Sequence, residues 1–296
     1  MRAVSLHRDV LLVTSALLQV NCVIVRGPVD GGDTGDTETV ENPVRVIEPG
    51  ETAAGISGAA GAGAETFVID SPVLPDELDA LPALIEQARF PAPSGLLATH
   101  GDWDHLLGRL AFPGAPLGCA ESTAERLRRS PGEAQRELRA FDEELLIERA
   151  RPLALGSVQE LPVPGRCDIG TRQIELHGAD GHTPDGMAIW IPWARVLVAG
   201  DYLSAVEIAT LNAGDLVEAY LATLERLLPF VEDAEHVVSG HGPVTDGMRA
   251  RDILGEDVSY LARLCQHGAA AELPPGRRSP EQRRLHAENV AALLAA

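Results

Sequence analysis

The chain has 296 residues, with 24 basic against 44 acidic side chains, a formal net charge of −20 and 45% hydrophobic residues. That apolar content excludes disorder over the whole chain, and the length suits one large domain or two small ones. Every basic residue is arginine, which excludes a lysine Schiff base, and the acidic balance argues against nucleic acid or an anionic membrane as partner.

The four cysteines (Cys22, Cys119, Cys167, Cys265) stand far apart without a CxxC pair, so neither a disulfide framework nor a thiolate zinc ribbon is expected. The apolar run over residues 10–20 follows two arginines, as in a signal peptide, but Asp9 interrupts the approach and no small-x-small cleavage site follows. No stretch is apolar for long enough to span a membrane, and a cytoplasmic location is expected.

In chain order, residues 10–15 and 21–26 read as a β-hairpin. Residues 28–64 are first acidic, then rich in Gly and Ala, and read as an insertion or mobile loop, with residues 44–47 able to extend the hairpin. A strand over 66–69 leaves Asp70 at its carboxyl end. Residues 75–90 carry Leu78, Leu81, Leu84 and Ile85 at helical spacing, with Pro82 either kinking that helix or starting it. A strand over 95–99 follows, then helices over 121–129 and 133–149 and a strand over 172–176. Strands over 188–191 and 195–199 flank Pro192-Trp193-Ala194 as a hairpin. A periodic helix over 215–228 precedes a strand over 235–238. Helices over 248–265 and 280–294 close the chain, the residues from 270 onward forming a helical extension to a single domain.

Four of the nine histidines fall where these strands end. His100 and His105 lie in Thr99-His100-Gly101-Asp102-Trp103-Asp104-His105, His182 in Gly181-His182-Thr183-Pro184, and His241 in Gly240-His241-Gly242-Pro243. A further strand end supplies Gly200-Asp201-Tyr202. Any one histidine after a strand is ordinarily a hydrogen-bonded residue of the core or surface. Together, with glycine beside His100, His182, His241 and Asp201, they suggest close backbone turns around one site at a sheet edge. Imidazole and carboxylate are ligands that zinc, iron and manganese accept.

With the opening hairpin, Asn21-Cys22, Ile69-Asp70 and the helix at Tyr220-Leu221-Ala222-Thr223-Leu224-Glu225-Arg226-Leu227, these landmarks resemble the metallo-β-lactamase-fold hydrolases over most of the chain. The resemblance implies an α+β fold, a four-layer αββα sandwich with a dinuclear metal centre at one edge. Carried over by position, His100, Asp102 and His182 would bind the first ion, Asp104, His105 and His241 the second, and Asp201 would bridge them. The family pattern is His-x-His-x-Asp-His, so Asp102 stands where a histidine is usual. An added carboxylate lowers Lewis acidity and shifts preference from zinc towards iron or manganese, and its shorter reach alternatively leaves a mononuclear centre at the second site.

The reaction implied is hydrolysis: a hydroxide held by the dinuclear centre attacks an acyl carbonyl, with Asp104 orienting it or accepting its proton. The substrate class expected is a small acyl compound (thioester, lactone, or related ester or amide), neutral or zwitterionic, with two divalent ions, zinc first, as cofactors and a homodimer left open. Thr99 and Thr183 are candidates to orient ligands, or are simply turn and strand residues. Trp103 and Tyr202 are candidates to line a pocket. His7, His177, His236, His267 and His286 fit no ligand position. One rival is a diiron redox enzyme resembling the flavodiiron core, which carries a carboxylate at the position of Asp102, although no flavodoxin domain follows here. Another is a binding module, which predicts loss of several ligands where only one is changed.

Overall fold

The computed structural model describes residues 1–27, 45–47, 64–212 and 217–295. The first sheet contains β1 (Arg2–His7), β2 (Val10–Thr14), β3 (Asn21–Gly27), β4 (Arg45–Ile47), β5 (Glu65–Ile69), β6 (Gly95–Leu97), β7 (Leu117–Ala120) and β8 (Gln159–Leu161). Its order is β4-β1-β2-β3-β5-β6-β7-β8, antiparallel from β4 to β5 and parallel from β5 to β8. The second contains β9 (Gly165–Ile169), β10 (Arg172–Gly178), β11 (Met187–Ile191), β12 (Val196–Val198) and β13 (His236–Val238), in the order β13-β12-β11-β10-β9.

The two-residue period of strands explains how these sheets stack. In β2 and β3, Leu11, Val13, Cys22 and Ile24 face the helices α1 (Pro75–Gln87), α2 (Gly108–Ala111), α3 (Glu121–Arg129) and α4 (Glu133–Leu145), while Val10, Leu12, Val23 and Val25 face the second sheet. In β11, Met187, Ile189 and Ile191 meet them, and Ala188 and Trp190 turn outward to α5 (Val217–Asp233), α6 (Gly247–His267) and α7 (Pro280–Ala295). Strands buried on both faces read as continuous apolar runs, as 10–13 and 22–25 do. The result is the expected α+β sandwich of helices, sheet, sheet, helices.

Several expected elements change at their ends. Pro82 lies inside α1, which starts at Pro75 and stops at Gln87, because Arg89 takes φ 60°. Helix α4 ends at Leu145 rather than 149, since Leu146 is left-handed and Arg149 folds back onto Asp142 with Nε and Nη2 at 2.7 and 2.9 Å. Helix α5 continues through Pro229 to Asp233. The segment 45–47 joins the sheet beside β1 (Ala3 opposite Ile47), away from the hairpin partner β3. The rest of the expected 28–64 insertion, except Ala64, lies outside the described residues, as do residues 215 and 216 of the expected helix. Strands β1, β7, β8 and β9 had no counterpart in the sequence reading. Among the described residues no helix is long and apolar enough to cross a membrane.

Candidate metal centre

Strand β5 stops at Asp70, which takes φ 56°, a left-handed conformation that a short polar side chain tolerates better than most. Its carboxylate then caps the neighbouring strand end: Oδ1 accepts the Thr99 N–H at 2.8 Å, and Oδ2 accepts the Thr99 hydroxyl at 2.8 Å and Nδ1–H of His105 at 2.9 Å. The Thr99 oxygen lies 3.1 Å from Nδ1 of His100, so Asp70 orients two imidazoles, one directly and one through Thr99. The tight turn at Trp103–His105 sets Asp104 and His105 side by side.

The other two imidazoles are held from outside in the same manner. Nδ1 of His182 sits 2.8 Å from the Thr210 hydroxyl and 3.2 Å from its carbonyl, while the His182 N–H donates to the Tyr202 hydroxyl at 2.8 Å. Nδ1 of His241 faces the Leu18 carbonyl at 2.8 Å. Asn21 secures that loop by donating to the carbonyls of Ser239 and Gly242, each at 2.8 Å. Each Nδ1 thus has an outer partner, and the Nε2 atoms converge.

They converge on Asp201. Its Oδ2 lies 3.4 Å from Nε2 of both His182 and His241 and 3.8 Å from that of His100, and its Oδ1 lies 3.3 Å from Nε2 of His105. Asp104 reaches Nε2 of His241 at 3.5 Å and that of His105 at 4.0 Å. Asp102 sends Oδ2 to within 3.5 Å of Nε2 of His100 and 3.4 Å of that of His182. Donor atoms of His100, His182 and Asp201 lie within 4.8 Å of one another, and so do those of Asp104, His105 and His241. All seven candidate ligands named from the sequence therefore meet in one place. His7, His177, His236, His267 and His286 lie outside both groups.

Two features fit this cluster to cations. Nε2 of His100, His105 and His182 and Oδ1 of Asp201 are buried without a hydrogen-bond partner, a costly state unless something else satisfies them. A Cβ on Gly240 would stand 1.8 Å from Oδ1 of Asp201 and 2.9 Å from His105, so this position leaves no room for a side chain. Charge has the same sense. Burial opposes ionisation, yet His241, His105 and His100 hold Asp201 well below the usual carboxylate range. In return, against the same burial, Asp102 and Asp201 raise His182 to about 9, and Asp201, Glu207 and Asp104 raise His241 to about 10.

Two supporting expectations change. Tyr202 is buried behind His182 with its ring 4.6 Å from that of Tyr220, and its hydroxyl accepts the His182 N–H, so it supports a ligand loop. Thr183 donates to the Asp185 carbonyl at 3.0 Å and shapes its own turn, whereas Thr99 does contact a candidate ligand. Trp103 packs against Phe141 of α4, ring centres 4.7 Å apart. Asp70, Thr210, Arg126 and Asp185 were not assigned from the sequence. Asp70 alone had a signal there, its place at a strand's carboxyl end.

The sequence profile of the metallo-beta-lactamase superfamily matches residues 16–241. A metallo-beta-lactamase type 2 from Bacillus sp. (strain 170) is 29% identical over 83 residues, a match covering 26% of this chain and 32% of that relative. A beta-lactamase domain protein from Burkholderia ambifaria superposes with a TM-score of 0.63 at 15% identity, over 99% of this chain and 86% of that one. A further structure, solved in a di-iron-bound form, gives a TM-score of 0.51 at 21% identity, over 81% of this chain and 96% of its own. With the profile spanning most of the sequence and the two-sheet architecture in common, the chain belongs to the metallo-beta-lactamase superfamily.

Proposed function

We propose that the chain is a metal-dependent hydrolase of small acyl compounds, acting at this cluster. The observation that carries the reading is the outward anchoring of four Nδ1 atoms, which leaves four Nε2 atoms and three carboxylates aimed at one another. His100, Asp102 and His182 would hold one divalent ion and Asp104, His105 and His241 a second, with Asp201 shared. Two such ions, when bound, supply Lewis acidity towards an acyl carbonyl and a lowered pKa for water, zinc being the first expectation. Asp104 is only 8% exposed, and its carboxylate is suited to orient the attacking water and take up its proton. Leu17 and Leu18, exposed at 36% and 46%, adjoin the carbonyl that anchors His241 and offer an apolar surface for the acyl group.

The test is metal content of protein purified without added metal, joined to hydrolysis of a thioester, a lactone, an ester and a β-lactam. Two zinc ions per chain and chelator-sensitive hydrolysis of at least one substrate are expected. Protein that takes up no divalent metal under any condition overturns the reading. A second reading, diiron redox chemistry, is favoured by the three carboxylates and by the relative solved with two irons. Two irons with visible absorption and no hydrolysis would select it.

A further inference from the structure

Asp102 brings a negative charge to a position where the family carries an imidazole, and the structure sets a cation directly behind it. Arg126, on α3, places Nη2 2.8 Å from Oδ1 of Asp102 and Nη1 2.9 Å from Oδ1 of Asp185. Asp185 is buried three residues after His182, and its Oδ2 accepts the Gly101 N–H at 2.9 Å and the Thr123 hydroxyl at 2.8 Å. One guanidinium therefore joins the loop of His100 and Asp102 to the loop of His182. Gly101 makes room for this arrangement, since a Cβ there would stand 3.1 Å from Oδ2 of Asp185 and 3.3 Å from two atoms of Arg126.

We infer that Arg126 is the positioning residue that lets a carboxylate serve at position 102. The inference rests on the metal-centre reading and deepens it. Because Arg126 occupies Oδ1, only Oδ2 of Asp102 faces His100 and His182, as a histidine would offer a single nitrogen. The positive charge offsets the added carboxylate, which would otherwise reduce the Lewis acidity of the first ion. A planar fork bonds two carboxylates at once in fixed directions, which is why arginine suits the position better than a point-charge ammonium. The other oxygen of Asp185 is taken up by the hydrogen bonds from Gly101 and Thr123.

The experiment is competitive titration of zinc into metal-free wild type, Arg126→Gln, Arg126→Lys, Asp102→His and the double variants, with cobalt absorption spectra as a second readout. Arg126→Gln should weaken the first ion by ~10–100-fold, the usual range for an outer partner of a ligand, with the second ion unaffected and the cobalt bands of the first site altered. Arg126→Lys should recover part of the loss, because it keeps the charge without the fork. In the Asp102→His background, Arg126→Gln should change affinity by less than ~2-fold, since the residue it acts through is gone. An equal loss in both backgrounds would show that Arg126 acts through Asp185 or the packing of α3 and not through Asp102, and it overturns the inference, as does unchanged affinity in Arg126→Gln. If Arg126→Gln does not fold, the same comparison is made with Arg126→Lys, and a loss equal in both backgrounds has the same meaning. Wild type that binds no metal overturns the metal-centre reading itself, whereas wild type with two ions indifferent to Arg126 overturns this inference alone.

Discussion

Asp70 shows how much one side chain outside the ligand set decides. Its three hydrogen bonds fix the Thr99 backbone and hydroxyl and the ring of His105. Asp70→Ala should therefore weaken zinc binding by ~10–100-fold in direct titration, with the loss centred on the His105 site. Gly240→Ala is a sharper case: its methyl group would overlap Oδ1 of Asp201, so loss of both ions is expected in a protein that retains its far-ultraviolet spectrum. Unchanged metal stoichiometry would remove Asp201 from a shared role. His100, His182 and His241 were legible because each follows a strand and stands beside glycine, and His105 because it closes the spaced motif that begins at His100. Arg126 and Asp185 were not, because nothing local marks an arginine on a polar helix or an aspartate in a turn. Their significance is in contacts between distant segments, 2.8 Å from Arg126 to Asp102 and 2.9 Å from Arg126 to Asp185, the second across 59 positions of sequence.

At the scale of elements, α7 proves to be tied to the centre. Gln282 accepts the Ile208 N–H at 2.7 Å, and Asn289 accepts the Leu211 N–H and donates to the Ala209 carbonyl, each at 2.8 Å. Those bonds hold the segment 208–211, whose Thr210 anchors His182. Asn289 is buried, so Asn289→Leu leaves two backbone groups unsatisfied and should cost about 2 kcal/mol or more, read as a lower midpoint in urea. It should also weaken the ion held by His182, an outcome that a detachable extension would not show. Helix α7 has few apolar residues on one face, and its polar contacts to 208–211 have no signature in sequence spacing. The strands overlooked in the sequence have related reasons. Strand β7 is short, small-residued and buried on both sides, and β8 is a mostly exposed edge strand, so neither alternates apolar with polar residues.

For the molecule as a whole, the candidate ligands make stability depend on pH and metal together. In metal-free protein His182 and His241 are raised from 6.5 to about 9 and about 10 by the surrounding carboxylates, against burial. A raised histidine stabilises the fold fully below its unfolded value, and that stabilisation is lost as pH climbs through the folded value. The melting temperature of metal-free protein should therefore fall as pH rises from about 6.5 to about 10. Metal binding runs the other way, since ligands must give up protons: affinity should drop as pH falls, and zinc binding near pH 8 should release roughly two protons. Calorimetry in two buffers of different ionisation enthalpy measures that number, and zero release would mean that these imidazoles are already neutral in the metal-free protein at that pH. Some of the −20 formal charge is thus local, three aspartates gathered where cations would offset them.

Taken alone, the sequence determined most of the strands and helices and the place of the histidines, because both are local properties, while the layered sandwich came from the family resemblance. Apolar runs and alternation mark strands, and glycine beside histidine marks turns at strand ends. Against the motif that the resemblance implies, the sequence also pointed to a departure at Asp102. Only the tertiary structure decided what surrounds that carboxylate. Arg126, Asp185 and Gly101 come from three separate segments, and the same holds for Asp70 with His105 and Thr210 with His182. Ligand identity is written in short stretches of chain. Ligand orientation is set by hydrogen bonds between stretches, which depend on where the sheets and helices bring them together.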